Sequence, residues 1–207
     1  MNNTLLLLLL LVTSGGEKFL DDIPAYQLDS YFKQKVYAKH DYKSFALLKE
    51  ANEVVNPDNY DLHLLNAAVF FATNKLREEK KLKQLKFSSA LRDAATVHTF
   101  MMVDKKFFDH FNNRNLKLRT PEDRIKLFGT NADFAGENID YTNIKMPSQT
   151  TYWQLAQMIV DDWFHSPPHK KNMLSKNFRS LGCAAYFEIK NKDGFRYVKS
   201  TQDFSAP

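Results

Sequence analysis

The feature that most constrains this 207-residue chain is a change of hydrophobic period close to its end. Leu181, Cys183, Ala185, Phe187 and Ile189 alternate with Gly182, Ala184, Tyr186 and Glu188. That period of two belongs to a β-strand. "NKDG" follows with an Asp-Gly turn signal, and "FRYVKSTQDF" is extended again, so the C-terminus reads as a β-hairpin. Upstream, apolar residues recur at helical spacing instead. Helices first and an antiparallel hairpin last specify an α+β fold, with helices layered on an antiparallel sheet.

The helical segments can be placed individually. Leu62, Leu65, Val69, Ala72 and Leu76 keep one face apolar over about four turns. Ser88 can cap the next helix, in which Leu91, Ala95, His98 and Met102 share a face. "TPEDR" starts another, with Thr120 at the N-cap, Pro121 in the first turn and two acids behind it, and Gly129 stops it. Tyr152, Leu155, Ile159 and Trp163 define the last long helix, which the prolines at 167 and 168 terminate. Ser166 can then cap a short new helix that holds His169 in its first turn. Residues 17–59 form a helical N-terminal extension, read as two short stretches carrying Leu28, Tyr31, Phe32 and Val36 and then Phe45, Leu47 and Leu48; "NPDN" is the boundary before residue 60.

Residues 1–16, "MNNTLLLLLLLVTSGG", read as a secretory signal peptide: a run of apolar residues too short to span a bilayer, followed by small residues. The n-region has no Lys or Arg. The single cysteine, Cys183, excludes an internal disulfide and sits among small apolar neighbours, where a buried hydrophobe is expected rather than a nucleophile. Net charge is +5, and the basic run "KLREEKKLKQLK" is broken by acids, so it is read as a solvated helix end and loop rather than a phosphate or nucleic-acid site. No nucleic-acid partner and no transmembrane span are expected.

"TNKLREE", "FFDHFN", "AGENI", "DDWFHSPPHKKNML", "LGCAAYF" and "STQDF" occur in an order that resembles the CAP superfamily, the SCP-like group of cysteine-rich secretory, antigen 5 and pathogenesis-related proteins. The likeness covers about residues 60–207 and is closest to the bacterial branch, which commonly lacks disulfides. It implies a three-layer α-β-α sandwich and a cleft lined by two histidines and two acids. Carried over by motif, His110 resembles the first histidine, Glu137 the first acid and His169 the second histidine. The second acid falls at Ser166, which puts a two-acid mechanism in doubt. Asn138, beside Glu137, is expected to serve its loop backbone or to line the cleft with Ser166. His165 is read as a rim residue and His98 as a core-edge histidine.

Two imidazoles and a carboxylate form a set that zinc accepts with a position left open. The resemblance therefore implies a divalent metal such as zinc on His110, His169 and Glu137. It leaves two readings open. One is a secreted, non-enzymatic module whose cleft holds a metal or small ligand or meets a protein, peptide or lipid partner at the cell surface. The alternative is a metal-assisted, peptidase-like hydrolase in which Glu137 acts as base on zinc-bound water. The missing second acid favours the first.

Overall fold

The computed structural model describes residues 16–130, 135–189 and 193–206. The residues of the expected signal peptide before Gly16, and Asn191 and Lys192 of the expected turn, lie outside this set. Four one-turn helices open the chain: α1 Glu17–Leu20, α2 Pro24–Gln27, α3 Lys35–Lys39 and α4 Tyr42–Phe45. The long helices α5 Leu62–Glu79 and α6 Ser89–Asp104 flank the two-residue strand β1 Lys86–Phe87. Then follow α7 Pro121–Leu127, β2 Ala135–Lys145, α8 Tyr152–His165, α9 Pro167–Met173, β3 Ser180–Phe187 and β4 Phe195–Ser205.

The sheet order is β1-β3-β4-β2. The expected hairpin is β3–β4, antiparallel, with Leu181 opposite Phe204 and Phe187 opposite Val198. β2 joins the other edge of β4, antiparallel along its whole length, and places Glu137 opposite Asp203. The short β1 is the one parallel addition. β2 is an eleven-residue strand that period alone does not announce, because Gly136, Asn138, Asp140 and Asn143 are all poor strand formers.

Both faces of the sheet are covered. α5 and α8 pack together on one face, and α6 packs on the other against β3 and β4, with α7 beside it on β2. The alternation in β3 now has its reason. Leu181, Cys183, Ala185 and Phe187 fill the larger core, shared with α5 and α8. Gly182 faces α6 so closely that a Cβ there would lie 1.9 Å from the backbone nitrogen of Arg92. The result is the α-β-α sandwich the resemblance implies.

Caps form where side chains have a free N–H to accept from. Ser88 accepts from Leu91 N, Thr120 and Asp123 complete a capping box, and Thr151 and Gln154 complete another at α8. Gly129, at φ +91°, ends α7 in the left-handed region.

Residues 17–59 differ from the expected pair of helices. Ser30 and Asp41 each turn their side chain back to a backbone N–H two or three residues on, and Pro24 starts its own turn, so no helix propagates. Leu28 and Leu47, which share the helical spacing of their neighbours, point outward at 63% and 85% exposure. Phe32, Val36, Phe45, Ala51 and Val55 join the larger core, while Leu20, Ile23 and Tyr26 complete the smaller one beneath α6. The Tyr26 hydroxyl and the Arg92 guanidinium meet on Asp93 at 2.6 and 2.7 Å, which fastens the extension to α6.

Candidate functional site

The Asn-x-x-Arg pair of α5 is architectural. Asn74 exchanges two hydrogen bonds with the backbone of Leu85, as a neighbouring strand would. The buried Arg77 donates to the carbonyls of Met173 and Ser175 at 2.6 and 3.0 Å, which closes the C-terminal end of α9. α9 is in turn joined to the edge strand β2, where Asn172 donates to the Glu137 carbonyl at 3.2 Å and Asn138 to that of His169 at 3.1 Å.

Glu137 and Asn138 are consecutive on a strand, so their side chains leave opposite faces of the sheet. Glu137 faces the α6–α7 side. Its Oε1 accepts from His110 Nδ1 at 2.7 Å and its Oε2 from Arg124 Nη2 at 2.5 Å. The carboxylate and the guanidinium are both fully buried. Arg124 also donates to the carbonyls of His110, Leu118 and Arg119, so one guanidinium fastens the loop that carries His110. Burial opposes ionisation of Glu137, but the charges of His98, once protonated, and of Arg124, with the two donated hydrogen bonds, outweigh it and hold the carboxyl below the ordinary carboxylate range. His98 lies 3.9 Å from the same carboxylate. Burial holds its pKa to about 4, so it is neutral at pH 7, and its Nε2 bonds the carbonyl of Asp109, as a core histidine should.

Asp203, opposite Glu137 in the strand register, is completely buried. Neither of its oxygens has a donor among the described residues. Burial first, and the Glu137 charge second, push its carboxyl well above the ordinary range. Beside the Glu137 carboxylate, the protonated form of Asp203 is the favoured one. The hydrogen bond to Glu137 raises the pKa of the half-exposed His110. Burial and the nearness of His110 lower that of His169. Neither ring nitrogen of His169 has a hydrogen-bond partner among the described residues, and His110 keeps Nε2 unengaged. Phe108 and Phe111 flank His110 and remain about half exposed.

On the other face Asn138 is buried in a different network. It donates to the His169 carbonyl at 3.1 Å and to Gln202 Oε1 at 3.1 Å, and it accepts from Asn172 at 2.9 Å. Gln202 donates to Thr73 Oγ1 at 2.6 Å, and Thr73 to the carbonyl of Val69 at 2.8 Å. Asn138 therefore serves the backbone of α9 and not a loop of its own. Ser166 occupies the N-cap position of α9 without making the expected cap. Pro168, at the second helical position, has no N–H, which removes one of the two donors a capping hydroxyl could reach. His165 is on the surface, its Nδ1 bonded to the Asp161 carbonyl.

The residues test the implied metal. No group of three or more His, Cys, Asp or Glu is placed to hold an ion among the described residues. Glu137 is not free to be a third ligand, because both its oxygens are committed. It does fit as the group that orients His110: a carboxylate on Nδ1–H fixes the tautomer with Nε2 as the lone-pair nitrogen. The set that fits is two imidazoles, with the carboxylate behind one of them.

The model of the CAP family, described as the cysteine-rich secretory protein family, matches residues 70–199. The uncharacterized protein YkwD of Bacillus subtilis is 33% identical over 110 residues, 53% of this chain and 38% of its own length. The uncharacterized membrane protein YlbC of the same organism is 26% identical over 110 residues, 28% of its length. The chain thus spans less than two fifths of either relative. An extracellular protein of Bacillus anthracis containing an SCP domain shares the fold, with a TM-score of 0.54 and 24% identity over 74% of this chain and 44% of that one. With more than half of its length matched by the family model, and the α-β-α sandwich in place, the chain belongs to the CAP, or cysteine-rich secretory protein, family.

Proposed function

We propose that this protein is an extracytoplasmic binding module of the CAP family, whose cleft at His110 and His169 takes a divalent transition metal such as zinc or meets a protein, peptide or lipid partner at the cell surface. The observation that carries the reading is the double commitment of Glu137. A carboxyl held below its ordinary range, with both oxygens occupied, is a poor general base at neutral pH. The hydrolase alternative loses its base, while an orienting carboxylate suits ligand binding. No helix among the described residues is long and apolar enough to cross a membrane. A bound metal would supply Lewis acidity and a template for a ligand. His110 and His169 would hold it, and Glu137 and Arg124 would keep the first ring in place.

Zinc titration calorimetry tests this on wild type, His110→Ala and His169→Ala. Two nitrogens and no thiolate predict modest affinity, lost in both variants. The pKa of His110 is raised above its ordinary 6.5, so protons compete with the metal already above that pH, and affinity should fall steadily as pH drops from 8 to 6. Equal zinc binding by all three proteins would move the metal elsewhere, and peptide turnover abolished by Glu137→Gln would restore the hydrolase.

A further inference from the structure

The basic run at the end of α5 is not isolated in the fold. The segment after α5 and the segment between α9 and β3 border one cleft, about 780 Å³ in volume, whose lining includes Arg77, Lys81, Lys83, Lys86, Lys176 and Arg179 and no carboxylate. The acids of the run are engaged elsewhere: Glu78 pairs with Lys43 through one oxygen and accepts from Gln84, on the cleft's border, through the other, and Glu79 pairs with Lys75. None of the six cations has an ion-pair partner among the described residues. All but Arg77 are exposed.

Arg77 gives the cleft a fixed floor. It is 2% exposed. Its Nε and Nη1 are bonded to the carbonyls of Lys83, Met173 and Ser175, while Nη2 has no acceptor among the described residues. Burial, and then the charge of Arg179, lower the pKa of this guanidinium. A held guanidinium with an open N–H, ringed by mobile ammonium groups, is suited to phosphate oxygens.

We propose that this cleft, separate from the His110–His169 site, is a binding site for a soluble, multiply charged phosphate of the oligophosphate class. Several negative charges on one small ligand satisfy several cations at once, and inorganic phosphate satisfies fewer. The attraction is between exposed groups for the most part, so it weakens with salt.

The test uses the folded chain and sodium tripolyphosphate, followed by calorimetry at low and physiological ionic strength. Because Arg77 also closes α9, the variants are charge reversals at exposed positions: Lys83→Glu, Lys86→Glu and Lys176→Glu together. Lys35→Glu, Lys126→Glu and Lys145→Glu together carry the same change of net charge on other surfaces. Wild type and the second triple should bind alike, with the first triple weakened about tenfold or more and orthophosphate weaker than tripolyphosphate throughout. Equal loss in both triples would reduce the effect to net charge and overturn the site. So would absence of wild-type binding at low salt. Sedimentation with phosphatidylglycerol vesicles provides the second arm: vesicle binding lost in the first triple, without tripolyphosphate binding, would assign the cleft to a lipid headgroup and overturn the soluble ligand.

Discussion

Asp203 costs this fold stability at neutral pH. Its carboxyl ionises near its ordinary 3.8 in the unfolded chain and only at higher pH in the fold, so the penalty grows as pH rises above that value. Asp203→Asn keeps the shape and a donor toward Glu137 and removes the protonation. The variant should melt higher than wild type at pH 7, by an amount worth about 1–3 kcal/mol, and the gap should close near pH 3.5. A lower melting temperature at pH 7 would mean that Asp203 is ionised and has a partner. At this scale the sequence shows His110, Glu137 and His169, because each lies in a recognisable short motif. Arg124, His98 and Asp203 are legible only in part. "TPEDR" announces a helix start and says nothing of its arginine's direction; the acid in "STQDF" is a signal only once β2 sets Glu137 opposite it. His98 reads correctly as a core histidine, yet its nearness to Glu137 depends on the packing of α6 on the sheet.

Among the elements, the contact of α6 with β3 is the least forgiving. Gly182 has no room for a methyl group, since the obstacle is the α6 backbone at Leu91 and Arg92. Gly182→Ala should therefore destabilise by about 3 kcal/mol or more, at the upper end of overpacking, because a helix must move and not merely a rotamer. Urea midpoints of the two proteins measure it, and a loss under about 0.5 kcal/mol would show that α6 can slide. The helices were legible from period at α5, α6 and α8, and from the caps Ser88 and Thr120 at α6 and α7. The extension was less so. Its apolar residues do recur at helical spacing, but Asx and Ser turns compete locally with helix propagation, and Leu28 and Leu47 look like core until the turns rotate them outward.

The whole molecule depends on residues that precede the family match. Phe32, Val36, Phe45, Ala51 and Val55 on one side, and Leu20, Ile23 and Tyr26 on the other, complete both cores. A chain beginning at residue 60 should expose those cavities, bind a hydrophobic dye and lose its cooperative thermal transition. Retention of the full-length melting temperature after that truncation would show the extension to be a passive appendage. The α+β class and the sandwich were legible from the order of elements and the final hairpin. The dependence on the extension was not, because buried aromatic residues on one-turn helices leave no sustained period.

The polar chain that crosses the sheet below α9 also carries a direction. The carbonyl of Val69 can only accept, so the one proton of Thr73 must point to it. Thr73 Oγ1 is then left to accept from the Gln202 amide, which turns the Gln202 oxygen toward the Asn138 amide and the Asn138 oxygen toward Asn172. None of these amides is free to flip without reversing every member beyond it. The polarity of a helix carbonyl deep in α5 is thereby written outward, step by step, onto the strand edge, and the carbonyl of His169 meets a donor on Asn138 whose sense was decided at Val69 and passed on by Thr73 and Gln202.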